Sequence, residues 1–202
     1  GMAAPANAQT WNFTVLLDGE PIGMHRFILR ANDAKDAQGA DHRSLRSEAE
    51  FRVRLLGVPV YRYRHTAEEH WRGECLERMD AQTDDDGERT QVQARAVAGG
   101  LRVDSPLGGS LATGCLMSFA YWNPALRLQE RLLNAQTGRV EQVTWQRLDS
   151  ATLTARGQSL SATRWRLSGT DRPVDVWWTD DGRWVGLDAA VQGGRQLSYR
   201  LR

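Results

Sequence analysis

Alternation of apolar and polar residues with a period of two governs most of this chain. Phe51, Val53 and Leu55 exchange places with Arg52 and Arg54, and beyond Gly57-Val58-Pro59 the residues Tyr61 and Tyr63 do the same with Arg62 and Arg64. Trp165 and Leu167 alternate with Arg164 and Arg166. Such a rhythm places one side of an extended chain in a core and the other in water, which a period of 3.6 cannot do. Turn signals interrupt it at short spacing: Asp18-Gly19-Glu20-Pro21, Thr83-Asp84-Asp85-Asp86-Gly87, Gly99-Gly100, Asp180-Asp181-Gly182 and Gly193-Gly194.

These runs predict about a dozen strands joined mostly by short turns, hence an antiparallel meander. A flat sheet of that width would leave long edges and an uncovered apolar face, so it must curl. The expected fold is all-β, a strongly curved open or closed barrel, occupying residues 9–202 as a single domain. One segment departs from the rhythm. Leu126, Leu132 and Leu133 stand among Arg127, Gln129, Glu130 and Arg131, after Asn123 as N-cap and Pro124 at the first helical position. That predicts about two turns of helix within 124–134, covering one end of the barrel. The polar stretch Ala31–Asp41 reads as a mobile loop.

Residues 1–8 are small and patternless. Ala6-Asn7-Ala8 fits the small-x-small pattern before a signal-peptidase cut, which would leave Gln9 as the mature start. This points to export into a bacterial periplasm or beyond; a plain alanine-rich disordered tail is the alternative. No cysteine lies near that point to carry a lipid. No stretch approaches the ~20 apolar residues of a membrane-spanning helix. The net charge of +1 gives no strong pull toward nucleic acid or an anionic membrane. Lys35 is the only lysine, which reflects either a GC-rich genome or a surface selected for forked arginine contacts. Cys75 and Cys115 either pair, which suits an oxidising compartment, or remain two buried thiols.

Motifs for chemistry are sparse. His65 and His70 are five apart, not at HExxH spacing, and on a strand they point to opposite faces. His65 and Glu69 share a face about 13 Å apart at ~3.3 Å per residue, too far for a direct dyad without a bulge. Asp84-Asp85-Asp86-Gly87 lacks the terminal glutamate of a calcium loop, Arg95 standing there instead. There is no GxSxG nucleophile, and Gly108-Gly109 and Gly193-Gly194 lack the helix-opening pattern of a phosphate loop. No cofactor and no metal is expected. Phe119 and Tyr121-Trp122-Asn123-Pro124 gather aromatic residues where strand gives way to helix, a place suited to the mouth of a ligand cavity.

Over nearly the whole chain the sequence resembles a bacterial family known as domain of unknown function 6134. The resemblance rests on Trp11-Asn12-Phe13, Asp18-Gly19, Tyr63-Arg64-His65 with Glu69, Trp71 and Gly73, and Asp85-Asp86-Gly87. It continues through Tyr121-Trp122-Asn123-Pro124, Leu132-Leu133-Asn134-Ala135-Gln136-Thr137-Gly138, and Trp177-Trp178 with Gly182-Arg183-Trp184, to Tyr199. It implies an exported all-β protein and no reaction, and the two cysteines depart from the family's usual residues.

Three functions remain open at this level. The first is a carrier for an apolar small molecule or acyl chain, with His65, Glu69, Trp71, Tyr121, Trp122 and Asn123 as candidate ligand-binding residues. The second is a scaffold or partner-binding module of the envelope. The third is an envelope enzyme in which His65, Glu69 and Asn123 converge.

Overall fold

The computed structural model describes residues 8–202. The leader expected over residues 1–8 therefore lies outside the described residues as far as residue 7, and Ala8 already opens the first strand. The first meander runs β1 (Ala8–Leu17), β2 (Glu20–Ala31), β3 (His42–Leu55), β4 (Val58–Arg72), β5 (Cys75–Asp85), β6 (Glu88–Val97), β7 (Gly100–Ser105) and β8 (Gly108–Thr113). Short β9 (Met117–Ser118), β10 (Arg131–Leu133) and β11 (Val140–Gln142) follow. The second meander is β12 (Thr144–Ala155), β13 (Gln158–Ser168), β14 (Val174–Trp178), β15 (Trp184–Val191) and β16 (Arg195–Leu201).

Thirteen strands form one antiparallel sheet in the order β12-β13-β14-β15-β16-β1-β2-β3-β4-β5-β6-β7-β8. The two meanders meet in mid-sheet, where β16 pairs with β1 through Val15 opposite Tyr199. The expected all-β meander is present. The sheet curls until side chains of β2–β4 and β14–β16 face one interior space. Among the described residues its edges, β8 and β12, do not pair with each other, so the curl stays open along a seam.

Residues 114–143 carry the chain from one edge to the other as a strap through the interior. A disulfide between Cys75 and Cys115 ties its start to β5, with the Cα atoms 5.0 Å apart. Leu76 N donates to Leu116 O at 2.8 Å beside it. β9, β10 and β11 form a small second sheet there, with β9 and β10 parallel. Leu116, Met117, Leu126, Leu132 and Leu133 are almost wholly buried under the large sheet.

The helix expected within 124–134 is shorter than two turns. It is a 3₁₀ helix, Pro124–Leu128, with Asn123 Oδ1 accepting from Ala125 N at 3.0 Å. The chain is extended again by Gln129. Leu132 and Leu133 are consecutive and both buried, a pattern met by a strand covered on both faces rather than by one side of a surface helix. The loop after β2 is pinned rather than left to itself. Asp36 accepts from Gln38 N and Ala40 N through one carboxylate oxygen, and from the Arg72 guanidinium at 2.8 Å through the other.

Inside the curl the tryptophans do the packing. Trp184 sits 4.4 Å from the Phe13 ring, 4.9 Å from Phe27 and 5.7 Å from Tyr121, centroid to centroid. Tilted and edge-on ring pairs of this kind stabilise by about 0.5–1.5 kcal/mol each beyond the area they bury. A smaller apolar cluster lies apart from this core. Ala162, Trp177 and Val185 pack there with Leu153, Leu160 and Leu201. The β12–β13 hairpin reaches back toward β1, Arg156 donating to Thr10 O at 2.9 Å, and a register shift between Arg147 and Ser150 gives it the bend. Some arginines do make forked contacts, as Arg166 does with both oxygens of Asp175 at 2.8 and 3.0 Å.

Candidate functional site

The packing inside the curl leaves a space of about 370 Å³. Its placement follows from the parity of β4. Tyr63, His65, Ala67 and Glu69 are on the inward parity, while Arg64, Thr66, Glu68 and His70 are exposed on the other face. His65 and His70 thus lie on opposite sides of the sheet. Next to β4, Ala49 stands opposite both His25 of β2 and His65 of β4, so the two imidazoles face each other over a small side chain. The strap supplies Ser118, Phe119, Ala120, Tyr121 and Trp122, and the second meander supplies Val174, Leu187, Ala189, Leu197 and Tyr199.

The polar groups of this space are tied to one another. His25 Nδ1 lies 2.8 Å from the Tyr199 hydroxyl, and His65 Nδ1 lies 2.8 Å from Thr83 Oγ1. Glu69 is buried and accepts from Trp71 Nε1 at 3.1 Å and from Ser118 Oγ at 3.0 Å, one bond to each carboxylate oxygen. At the rim the Tyr63 hydroxyl donates to Gln136 Oε1 at 2.8 Å, and Thr90 Oγ1 donates to Gln136 O at 3.3 Å. These bonds hold the Asn134–Gly138 turn across the mouth. Gly138 carries φ +77° there, and its α-carbon comes so near β7 that an added Cβ would lie 2.3 Å from Ser105 Cβ.

Burial decides the charge state of the lining. Desolvation lowers His65 to about 4, and it lowers His25 to about 3 with a further push from His65. Desolvation raises Glu69 to about 7, against the pull of its two hydrogen bonds. Burial holds the Tyr63, Tyr121 and Tyr199 phenols well above their ordinary value. At neutral pH both imidazoles and all three phenols are therefore uncharged, and Glu69 is about half protonated. Besides Glu69, the lining residues that carry formal charge are Glu141 of β11 and Asp171 and Arg172 of the β13–β14 loop.

Of the residues singled out from sequence, His65, Glu69, Tyr121 and Trp122 line the space. Trp71 lies behind it, fully buried, with its ring 5.4 Å edge-on to Trp122 and its indole N–H committed to Glu69. Asn123 does not line it: its oxygen caps the short helix and its Nδ2 donates to Glu74. His65 and Glu69 are bonded to different partners and form no dyad. Sequence reading passed over His25, Ser47, Tyr63 and Tyr199. The signal was available, because His25 shares parity with Phe27 and Leu29, and Tyr199 with Leu197 and Leu201. A polar side chain on the apolar parity of a strand is one that the interior must accommodate.

No curated protein matches the chain in sequence. Among solved structures it is similar to a beta-barrel-like protein of domain of unknown function DUF1849 from Brucella abortus. The TM-score is 0.62 at 11% identity, with 98% of this chain and 97% of that one covered. At that identity the likeness is one of fold. In sequence, the model of the family described as Domain of unknown function (DUF6134) matches residues 13–202, and the chain belongs to that family.

Proposed function

We propose that the protein is a carrier, working in the bacterial envelope, for a small and largely apolar molecule that bears an uncharged polar group. One observation supports this above the others: a space of about 370 Å³ walled by apolar side chains together with histidines and tyrosines that are all held neutral. Away from Glu69 and from Glu141, Asp171 and Arg172, such a wall penalises an ion, which would lose hydration there, and accepts hydrocarbon. A space of that volume falls at the lower end of the ~300–1,000 Å³ of pockets that take small molecules. His25 with Tyr199, Ser47 and Ser118 offers hydrogen-bonding groups for the ligand's polar group. Export belongs to the same proposal, and the Cys75–Cys115 disulfide is consistent with an oxidising compartment.

Native mass spectrometry of the protein isolated gently from its own envelope tests the reading. The expected result is a reproducible added mass that disappears on denaturation. Ala67→Phe, which projects a ring into the space between His65 and Glu69, should fold and lose that mass. A wild-type protein of bare mass under these conditions, or an added mass that Ala67→Phe leaves in place, would remove the proposal.

A further inference from the structure

β3 and β4 outrun their neighbours. Pairing between β2 and β3 stops at Gly23 opposite Phe51, and pairing between β4 and β5 stops at Tyr63 opposite Asp85. Residues 52–61 pair only within the hairpin, as a two-stranded ribbon, and the Arg62 carbonyl at its base also accepts from Asp86 N. Five residues from Phe51 to the tip at ~3.3 Å each make it project about 16 Å. Its tip is apolar and bare: Leu55 is 64% exposed, Leu56 97%, Val58 61% and Val60 50%. Apolar residues scattered singly over a surface are ordinary, but four gathered at the end of a projection are not.

The turn itself carries a residue that its backbone conformation does not favour. Four two-residue hairpin turns have both loop residues at positive φ: Asp18-Gly19, Leu56-Gly57, Asp86-Gly87 and Arg156-Gly157. That geometry favours Asn or Asp before Gly, and a bulky side chain at φ +50° is disfavoured. The other three turns carry a polar first residue; only this one carries leucine. Here both local conformation and hydration argue against the residue that is present.

The flanks indicate what covers it. Arg52, Arg54 and Arg62 lie in the ribbon, with no acid between Phe51 and Tyr63. Arg54 and Arg62 form no ion pair among the described residues, whereas Arg52 meets Glu50 at 3.0 Å. Nearby acids stand at the base: Glu50, Asp84, Asp85, which accepts from the Tyr61 hydroxyl, and Asp86, which accepts from Arg62 N. A hydrocarbon tip, tyrosines behind it and arginines at their level match the layers of an anionic bilayer surface. The whole-chain charge of +1 conceals this local excess. From these features we infer that the β3–β4 tip inserts into the surface of an anionic membrane. Tyr63, at the base of the ribbon, also lines the interior space, so docking brings the mouth of that space to the bilayer.

Co-sedimentation of the full chain with phosphatidylglycerol–phosphatidylethanolamine vesicles, and with phosphatidylcholine vesicles, provides the test. The protein should bind the anionic vesicles, less so in high salt, and phosphatidylcholine weakly. Leu56→Asp suits the backbone at φ +50°, so it should melt no lower than wild type while its partitioning falls about tenfold or more. Arg54→Gln should cost about fivefold on anionic vesicles alone. Vesicles left unbound at every composition, or equal binding by Leu56→Asp, would overturn the inference. So would a dimer that forms without vesicles and that Leu56→Asp dissociates, since the tip would then serve a second copy. The inference does not depend on what the interior holds: vesicles report on the tip and the retained mass reports on the cavity.

Discussion

Replacing Glu69 by glutamine should stabilise the protein, and the gain should depend on pH in a defined way. Glu69 titrates at about 7 in the fold against 4.5 in a free chain, because burial opposes its charge. The folded protein thus holds this proton more tightly than the unfolded chain does. Below pH 4.5 the side chain is neutral in both states and carries no penalty. From 4.5 to about 7 the unfolded chain releases the proton first, and stability falls by about 1.4 kcal/mol per pH unit. Above pH 7 the accumulated loss levels off at about 3 kcal/mol. Glutamine has the shape of the protonated acid and can still accept from Trp71 while donating to Ser118 Oγ. The difference between Glu69→Gln and wild type should therefore be small at pH 4.5 and grow to about 3 kcal/mol by pH 8. The buried histidines act in the opposite sense, destabilising the fold as pH falls below 6.5, but they are common to both proteins and cancel in the difference. Urea denaturation at a series of pH values measures it. A difference that stays flat with pH would refute the placement of Glu69 as a desolvated carboxyl.

Other outcomes follow from the strap and its mouth. Removing the disulfide, as Cys75→Ala with Cys115→Ala, opens a loop spanning a sequence separation of 40 and should cost about 4 kcal/mol by chain entropy, read from the denaturation midpoint. An unchanged midpoint would mean that the strap is held without it. Gly138→Ala forces a side chain onto φ +77° and against Ser105, and should cost about 2 kcal/mol and raise hydrogen exchange in the Asn134–Gly138 turn. Tyr63→Phe keeps the ring that stacks on Phe51 and removes only the hydroxyl bond to Gln136; it should cost about 1 kcal/mol and raise exchange in the same turn.

Parity made the sheet legible. Wherever one residue type alternated with another, as over Tyr61–Arg64 or Arg164–Leu167, the strand and its inward face could be read directly. The strap could not be read this way. Residues 114–143 are covered by the sheet, so several strap residues face protein on every side and lose the contrast between wet and dry faces. Leu132 and Leu133 read from sequence as helix because two adjacent buried leucines carry no period of their own. The site was half legible for a related reason. His65, Glu69, Tyr121 and Trp122 stood out as clusters of unusual residues, whereas His25 and Tyr199 meet only in space, across 174 positions of chain. The disulfide was open from sequence because nothing local says that β5 and the strap are neighbours.

The open seam between β8 and β12 has a mechanical consequence. A closed barrel has a bore fixed by its strand number and stagger, and can change it only by whole steps of register. A coil with a slit can widen or tighten continuously while every ladder bond stays intact. Here the strap bridges the slit from inside, anchored to β8 by Arg131 donating to Thr113 O and leading at its far end directly into β12. Its length therefore works as a belt setting, and lengthening or shortening that one segment would resize the interior without breaking a strand pair of the thirteen-stranded sheet.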